Sequence, residues 1–127
     1  MKEGRYEAPV EGGTGMVLER AEIVIKSGMM DEFMTVLVEK ALPPTETFTG
    51  IVSFKALRGV EDADNVMFLA WWDSIEAHLA SRPEPAHAEF RRHVLPYVAS
   101  AKTTVHFSPV GRTLPKATAQ PASGELA

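Results

Sequence analysis

The chain has 127 residues, a formal net charge of −4 at pH 7 and no cysteine, which fits one small domain and excludes disulfides, catalytic thiolates, zinc–thiolate sites and Fe–S clusters. The negative charge gives no reason to expect nucleic acid or an anionic membrane as a partner. No apolar run approaches the roughly 20 residues needed to span a bilayer, and residues 1–15 lack the apolar stretch of a signal peptide, so we predict a cytoplasmic protein with no membrane partner.

Composition divides the chain into one domain and two flanking segments. Residues 1–15 are glycine-rich with little to bury, and residues 111–127 are rich in Ala, Pro, Thr and Ser without a hydrophobic period. Such segments cannot offset the entropy lost on ordering them. We therefore predict a flexible lead-in over 1–15, a working domain over 16–110 and a flexible tail over 111–127.

The first half of the domain is predicted to form a strand, a helix and a second strand. Residues 17–26 alternate between apolar and polar side chains, which predicts a strand. Its apolar face is formed by Val17, Ala21, Ile23 and Ile25. From residue 30 to 41 apolar residues recur every three or four positions, which predicts a helix ending at Pro43-Pro44, because proline lacks the backbone donor. Residues 51–58 form the second predicted strand.

The second half is predicted to add a strand, two helical stretches and a final strand. Residues 66–72 predict the third strand, and Asp73 and Glu76 have the spacing of a capping box that begins a helix. The stripe of that helix consists of Ile75, His78, Leu79 and Arg82, and the next two prolines break it. A further helical stretch has Ala86, Phe90, Val94 and Tyr97 on its apolar side. The last strand is predicted over residues 103–109.

The predicted order is β-α-β-β-α-β. With right-handed crossovers this order gives an α+β fold of the ferredoxin-like type, a four-stranded antiparallel sheet with both helices on one face. The third strand, VMFLAWW, is apolar on both of its faces. Since one layer of helices covers only one face, we predict that the same face of a second copy covers the other in a homodimer.

Three segments of the chain resemble domains of the antibiotic-biosynthesis monooxygenase family. They are VLERAEIVIKSGMMDEF for the first strand and helix start, VMFLAWWDSIEAHL for the third strand and the helix after it, and VHFSPV for the last strand. The likeness covers about residues 16–110. It implies a dimeric α/β barrel in which each subunit encloses a pocket between its sheet and its helices.

The resemblance also implies chemistry. Some family members oxidise aromatic polyketides such as anthrones with O₂ and no cofactor, others act on quinols, others degrade haem, and many have no assigned activity. Trp72 matches the tryptophan that the anthrone oxidisers carry at the end of strand three, and Arg91 matches their arginine in the last helix. His78 stands where they have tyrosine, and Phe68 stands where they have asparagine. The haem degraders have asparagine at the position of Ala21 and tryptophan at that of His78, so haem degradation is not expected.

His78 is the main catalytic candidate because it lies on an apolar stripe. Oxygenation without a cofactor needs a base and a dry cavity, since the deprotonated substrate itself supplies electrons to O₂. A histidine that titrates near neutrality suits that task. The alternative is a core histidine bound to a backbone carbonyl.

Arg91 is the second catalytic candidate, as a partner for a substrate anion. His87 lies one helical turn away and is a candidate for substrate binding. The alternative for this pair is the solvated shoulder of a helix. Trp72 is either a flat wall for an aromatic substrate or a core residue. His106 must face away from the side shared by its strand neighbours, and its role stays open.

The remaining candidates for the pocket wall are Phe33, Phe68 and Phe90. No metal is expected, because the histidines lack the spacing of ligands on one helix face. We therefore hypothesise a cofactor-independent monooxygenase that acts with O₂ on a small aromatic or quinol-type molecule. The alternatives are a non-catalytic dimeric domain that binds a small ligand and an isomerase or lactone-processing enzyme on the same fold. An open pocket that is polar at one spot and lined by Trp72 favours an enzyme, and a pocket filled by Phe33, Met34, Phe68 and Phe90 favours a structural or binding role.

Overall fold

The helices and strands follow the predicted order, with one additional strand near the end of the chain. A computed structural model describes residues 15–113. The strands are β1 (Val17–Ile25), β2 (Ile51–Arg58), β3 (Asn65–Trp72), β4 (Val98–Ala101) and β5 (Val105–Phe107). The helices are α1 (Met30–Val36), α2 (Leu42–Thr45), α3 (Ile75–Ser81) and α4 (Pro85–Val94), with a π-helical turn (Leu37–Ala41) after α1 and a 3₁₀ turn (Leu95–Tyr97) after α4. The predicted lead-in and tail lie outside the described residues, apart from Gly15 and residues 111–113.

The strands form one antiparallel sheet with the order β2-β3-β1-β4. Both β4 and β5 pair with β1, so that they share one position in the sheet and cover different parts of the same strand. The α+β class and the ferredoxin-like arrangement of four strand positions are confirmed. The single last strand predicted over 103–109 is wrong in detail, because the chain enters the sheet directly after the 3₁₀ turn, leaves it at residues 102–104 and returns as β5.

The two faces of the sheet differ in cover. On β3 the side chains that point toward the helices are buried, and they are Val66, Phe68, Ala70 and Trp72. We call this side the inner face. Met67, Leu69 and Trp71 point to the outer face and are only half-buried in the single chain. The predicted division of β3 into two apolar faces is therefore confirmed. No helix within residues 15–113 is long and apolar enough to cross a membrane.

The first helical segment does not end at Pro43-Pro44 as predicted. The π-helical turn widens the helix, and Leu42 N–H donates to the carbonyl of Leu37, five residues earlier. Pro43 and Pro44 then lie in the first turn of α2. The N–H groups of a first turn have no partner within the helix, so the absence of an N–H in proline costs no hydrogen bond there. The prolines restart the helix instead of ending it.

The helix α3 is capped and oriented differently from the prediction. Ser74 is its N-cap and accepts a hydrogen bond from Ala77 N–H at 3.0 Å, so Asp73 is not the cap. His78 is buried with 1% of its surface exposed, whereas Leu79, a second member of the predicted stripe, is 56% exposed. The reason lies at Gly50, where an added Cβ would come within 2.5 Å of the Ala77 Cβ. Because the helix approaches this turn so closely, Ala77 lies against Gly50, and the helix turns His78 and Ser81 into the interior.

Candidate active site

The inner face of β1 carries one carboxylate among apolar side chains. Glu19 lies between Val17 and Ala21 on this face, opposite Ala70 of β3 and opposite His106 of β5. Because β5 pairs with β1 in this register, it brings the His106 side chain to the same face as Glu19. The question that the sequence left open for His106 is thereby answered: it belongs to the inner face.

Glu19, Trp72, His78 and His106 form what we call the polar cluster. The Trp72 Nε1–H donates to Glu19 Oε1 at 2.8 Å, and His78 Nε2 lies 3.5 Å from the same oxygen. His78 Nδ1 and His106 Nε2 are hydrogen-bonded at 2.8 Å. The His78 ring also stacks on the Trp72 indole, with 4.6 Å between centroids and an angle of 16°. Both nitrogens of His78 therefore have a neighbour within the cluster.

Burial controls the protonation of this cluster. It lowers the pKa of His78 from 6.5 to about 4, and His106, Arg82 and His87 lower it further by their charges. The expectation that His78 titrates near neutrality is therefore wrong, and its imidazole is neutral at pH 7. Burial raises the pKa of Glu19, against the opposing effect of the hydrogen bond from Trp72. The cluster thus brings together a weakly basic imidazole and a carboxyl whose proton affinity is increased.

The hydrogen bonds restrict the tautomers. A neutral imidazole has one N–H and one acceptor nitrogen. When Glu19 is ionised, the favourable arrangement turns His78 Nε2–H toward it and leaves His78 Nδ1 to accept from His106 Nε2–H. The reverse tautomer of His78 would place a nitrogen lone pair against the carboxylate oxygen. A proton on His106 Nε2 therefore goes together with a proton on His78 Nε2.

His87 and Arg91 form a second polar pair beside the cluster. Arg91 Nη1 donates to His87 Nδ1 at 2.7 Å, so the proton of a neutral His87 is on Nε2. Burial and the Arg91 charge lower the pKa of His87. Arg91 thus acts on the site through His87, where the sequence suggested a direct anion partner.

The rings of His87 and Phe48 are stacked at 4.6 Å, and Phe48 lies 6.0 Å from Trp72 with an angle of 6° between their planes. With His78 these rings form a near-parallel array. A third ring inserted between two parallel rings needs about 7 Å between them, and neighbouring rings of the array are only 4.6 to 6.3 Å apart. A substrate must therefore bind beside the array.

The predicted wall residues are divided between two places. Phe54, Phe68 and Phe90 pack with centroid separations of 5.4 to 5.6 Å in what we call the aromatic cluster. Phe33 is fully buried and packs against Tyr97 at 5.4 Å. Among the described residues no ring contact joins Phe33 to the polar cluster. The structure therefore brings Trp72, His78, His87 and Arg91 together, with Phe68 and Phe90 next to them and Phe33 apart.

A cavity of about 370 Å³ lies between α2 and β2. Its lining consists of Leu42, Thr45, Glu46, Ile51, Val52, Ser53 and Phe54. Phe54 packs edge-on against Phe48 at 6.2 Å, and Phe48 in turn lies against Trp72. This volume is within the range of small-molecule sites. Two phenyl rings therefore lie on the contact path from the cavity to the polar cluster.

Within residues 15–113, no three or more His, Asp or Glu side chains are grouped so that they could hold a metal ion. The geometry of His78 gives the reason. Its two nitrogens face different partners, so Glu19 and the two imidazoles do not converge on one point.

These features define an α+β domain of ferredoxin-like topology with a buried titratable cluster between sheet and helices. The family model for antibiotic biosynthesis monooxygenase matches residues 16–93, and the chain belongs to this family. Membership supports a monooxygenase-type function in general terms. No curated protein sequence matches the chain significantly.

Solved structures of three bacterial proteins, each provisionally named an antibiotic biosynthesis monooxygenase, share the fold. The protein from Chloroflexus aurantiacus is 23% identical with a TM-score of 0.63, and the match covers 77% of this chain and 96% of that one. The protein from Bordetella bronchiseptica is 22% identical with a TM-score of 0.68, covering 76% and 98%. The protein from Caulobacter crescentus is 16% identical with a TM-score of 0.65, covering 77% and 92%. At such identities the likeness establishes the fold.

Sequence reasoning missed Glu19 and Phe48 as parts of the site and left the role of His106 open. The signal for Glu19 was present, since strict alternation puts it between Val17 and Ala21 on the face that is otherwise apolar. Phe48 lies in the turn before β2, where no period applies. Its position follows only from the packed structure.

Proposed function

We propose that the protein is a cofactor-independent monooxygenase that acts with O₂ on a small aromatic or quinol-type substrate at the polar cluster. One observation supports this most. A carboxyl that is 13% exposed and a neutral imidazole lie 3.5 Å apart, beside an indole and in an otherwise apolar interior. Titratable groups whose pKa values are shifted by burial and by a specific partner are concentrated at functional sites.

The reaction needs little from the protein. A base takes a proton from an acidic C–H, and the resulting carbanion transfers electrons to O₂ and forms a C–O bond. The peroxide anion is protonated to a hydroperoxide, which loses its remaining C–H proton and breaks its O–O bond, so one oxygen atom ends in a carbonyl and the other in water. The aromatic surroundings exclude water from the carbanion, and the N–H of His87, held by Arg91, is suited to stabilise a developing phenolate.

The test is O₂ consumption by the purified protein with anthrones, hydroquinones and naphthols, followed by mass spectrometry with ¹⁸O₂. We expect one labelled oxygen in the product. His78→Ala and the more conservative His78→Asn should lose most of the activity. His93→Ala is the matched control, because His93 pairs with Glu89 outside the cluster. Activity that is unaffected by both His78 variants would remove the reaction from this cluster.

A non-catalytic small-ligand domain is the second candidate, and the cavity between α2 and β2 favours it. There a ligand would contact Val52 and Ser53 without reaching the polar cluster. Titration of a naphthol followed by NMR distinguishes the two. Shifts confined to the amides of Val52 and Ser53 favour binding alone, and a shift of the Trp72 indole N–H favours the oxygenase.

The isomerase or lactone-processing alternative uses the same proton-transfer groups without O₂. Conversion of a lactone or an enolisable ketone under argon would support it. Product formation that depends on O₂ would contradict it.

We also propose a homodimer that buries the outer face of the sheet. Its apolar side chains include Leu57 and Phe107, which are 38% and 48% exposed in the single chain. Burying each such side chain contributes about 1.5–3 kcal/mol. Trp71→Arg should give a monomer in sedimentation velocity, whereas Val60→Arg, in the turn before β3, should leave the dimer intact. A monomeric wild-type protein would contradict the proposal. A cytoplasmic location stays a prediction from the sequence.

A further inference from the structure

We infer that Glu19 is the group that accepts the substrate proton, and that His78 and His106 are positioning residues that hold its carboxylate. This inference rests on the proposed function and names the base that the proposed reaction needs. The sequence had pointed to His78 for that role.

The geometry of Glu19 is that of a carboxylate with one oxygen held and one available. Oε1 accepts from the Trp72 indole and lies next to His78 Nε2. Among residues 15–113, Oε2 has no hydrogen-bond partner. An ionised carboxylate carries several acceptor positions, so Oε2 can meet a substrate proton while Oε1 keeps the side chain in place.

His78 does not have an available nitrogen. Its Nδ1 is bonded to His106 and its Nε2 faces Glu19. Burial also lowers the pKa of His78 to about 4, which makes it a weak base at neutral pH. A proton from a substrate would therefore find no open position on this ring.

The surroundings of Glu19 alter the proton affinity of its carboxylate. Its side chain is 13% exposed, and burial raises its pKa, which makes it a stronger base than an exposed carboxylate. The groups that face it are Trp72 from β3, His78 from α3 and His106 from β5, with the Arg82 charge after α3. His87 from α4 acts on His78 rather than on Glu19 directly.

His106 has an indirect role. With Glu19 ionised, His106 Nε2–H is the donor in its 2.8 Å bond to His78 Nδ1, which holds the tautomer in which His78 Nε2–H faces the carboxylate. This arrangement favours the ionised form of Glu19. His106 is half-buried in an edge strand, so its own proton can exchange with solvent.

The proton step balances within the proposed reaction. Glu19 Oε2 takes the proton of the substrate C–H, and the bonding pair remains on carbon as a carbanion. O₂ is the oxidant, and it is reduced to a carbon-bound peroxide. The protonated Glu19 then returns the proton to the peroxide anion, which gives a hydroperoxide. The same carbon then loses its second C–H proton as the O–O bond breaks, so that the carbonyl forms and the departing hydroxide leaves with that proton as water.

The experiment compares Glu19→Gln with the matched variant Glu22→Gln. Glu22 lies on the outer face of the same strand, where its carboxylate pairs with Lys102. Deuterium exchange into the anthrone methylene is measured in D₂O under argon, and O₂ consumption is measured separately. Glu19→Gln should lower both rates at least about 100-fold, the usual range for removal of a general base. It should change kcat rather than KM, and Glu22→Gln should behave as wild type.

His106→Asn tests the positioning role. Without the Nε2–H donor, the acidic limb of the kcat/KM profile should move to higher pH, and ¹⁵N spectra should show His78 as a mixture of tautomers. An unchanged pH limb together with an unchanged His78 tautomer would overturn the role of His106.

The outcomes separate the two proposals. Oxygenation that Glu19→Gln retains overturns the inference and leaves the monooxygenase standing. Deuterium exchange that Glu19→Gln loses, with no O₂ consumption by the wild type, supports Glu19 and overturns the monooxygenase. Absence of both reactions in the wild type overturns both.

Discussion

The polar cluster and the aromatic cluster lie side by side on the inner face of one sheet, yet they are held together differently. β3 contributes to both, with Trp72 in the first and Phe68 in the second. The aromatic cluster is stabilised by the burial and edge-to-face packing of rings, which carry no ionisable group. The polar cluster places groups that prefer water in a dry environment, which reduces stability but alters their proton affinities. Substitutions in the aromatic cluster should therefore act mainly on stability, and those in the polar cluster mainly on proton transfer.

The largest effect is expected from breaking the aromatic cluster. Phe68→Ala removes a 5%-exposed ring that contacts both Phe54 and Phe90, and we expect a loss of about 3–5 kcal/mol in the free energy of unfolding. Urea denaturation measures it. Val60→Ala, at a side chain that is 90% exposed, should change stability by no more than about 0.5 kcal/mol. A loss below about 1 kcal/mol for Phe68→Ala would mean that the cluster does not hold the fold together.

The next largest effect concerns the polar cluster and acid. Because the pKa of His78 falls from 6.5 in an exposed ring to about 4 in the fold, the unfolded chain binds this proton at higher pH than the folded chain does. The free energy of unfolding should therefore fall between pH 6.5 and 4, by at most about 3.5 kcal/mol. Glu19 acts in the opposite sense, since its raised pKa stabilises the fold as the pH drops.

Stability curves against pH for the wild type and His78→Gln measure this effect. The variant should show a smaller fall across the window, because its amide does not titrate. His93→Gln should keep the wild-type profile. Equal profiles for wild type and His78→Gln would mean that His78 is not buried in its neutral form.

The two clusters also differ in how far they could be predicted. The aromatic side chains lie on strands and on one helix with clear periods, so Phe68 and Phe90 were correctly placed on inner faces. Contacts of the polar cluster depend on register: Glu19 faces His106 only because β5 pairs with β1 at this offset. Periodicity gives a face but does not give a register between strands distant in sequence.

The orientation of α3 is also determined by contacts between segments that are distant in sequence. The stripe predicted for α3 rests on apolarity, and it includes the buried His78 together with the exposed Leu79. The deciding contact is between Gly50 and Ala77, which joins a turn to a helix and leaves no local signal. Protonation was mispredicted because the extent of burial around His78 is a property of the packed chain.

The close approach of Gly50 to Ala77 can be tested by comparing two glycines that have the same backbone conformation. Gly50 has φ +82° and Gly28 has φ +80°, but an added Cβ meets Ala77 only at Gly50. Gly28→Ala should lose about 1 kcal/mol from left-handed strain alone. Gly50→Ala should lose roughly 1–3 kcal/mol more and displace α3, which changes the chemical shift of the Trp72 indole N–H. Equal losses would show that α3 does not depend on this close approach.

The smallest effect tests how the start of α3 positions the polar cluster. Ser74→Ala removes the side-chain acceptor for Ala77 N–H and should destabilise the protein by about 1 kcal/mol. Asp73→Ala, the residue that the capping-box spacing had suggested, is exposed and should change stability by less than about 0.5 kcal/mol. Because the helix carries His78 in its second turn, fraying at Ser74 should lower oxygenase activity by more than the loss of folded protein explains. If both substitutions reduce activity only in proportion to stability, the position of His78 is determined by its bond to His106 rather than by the helix that carries it.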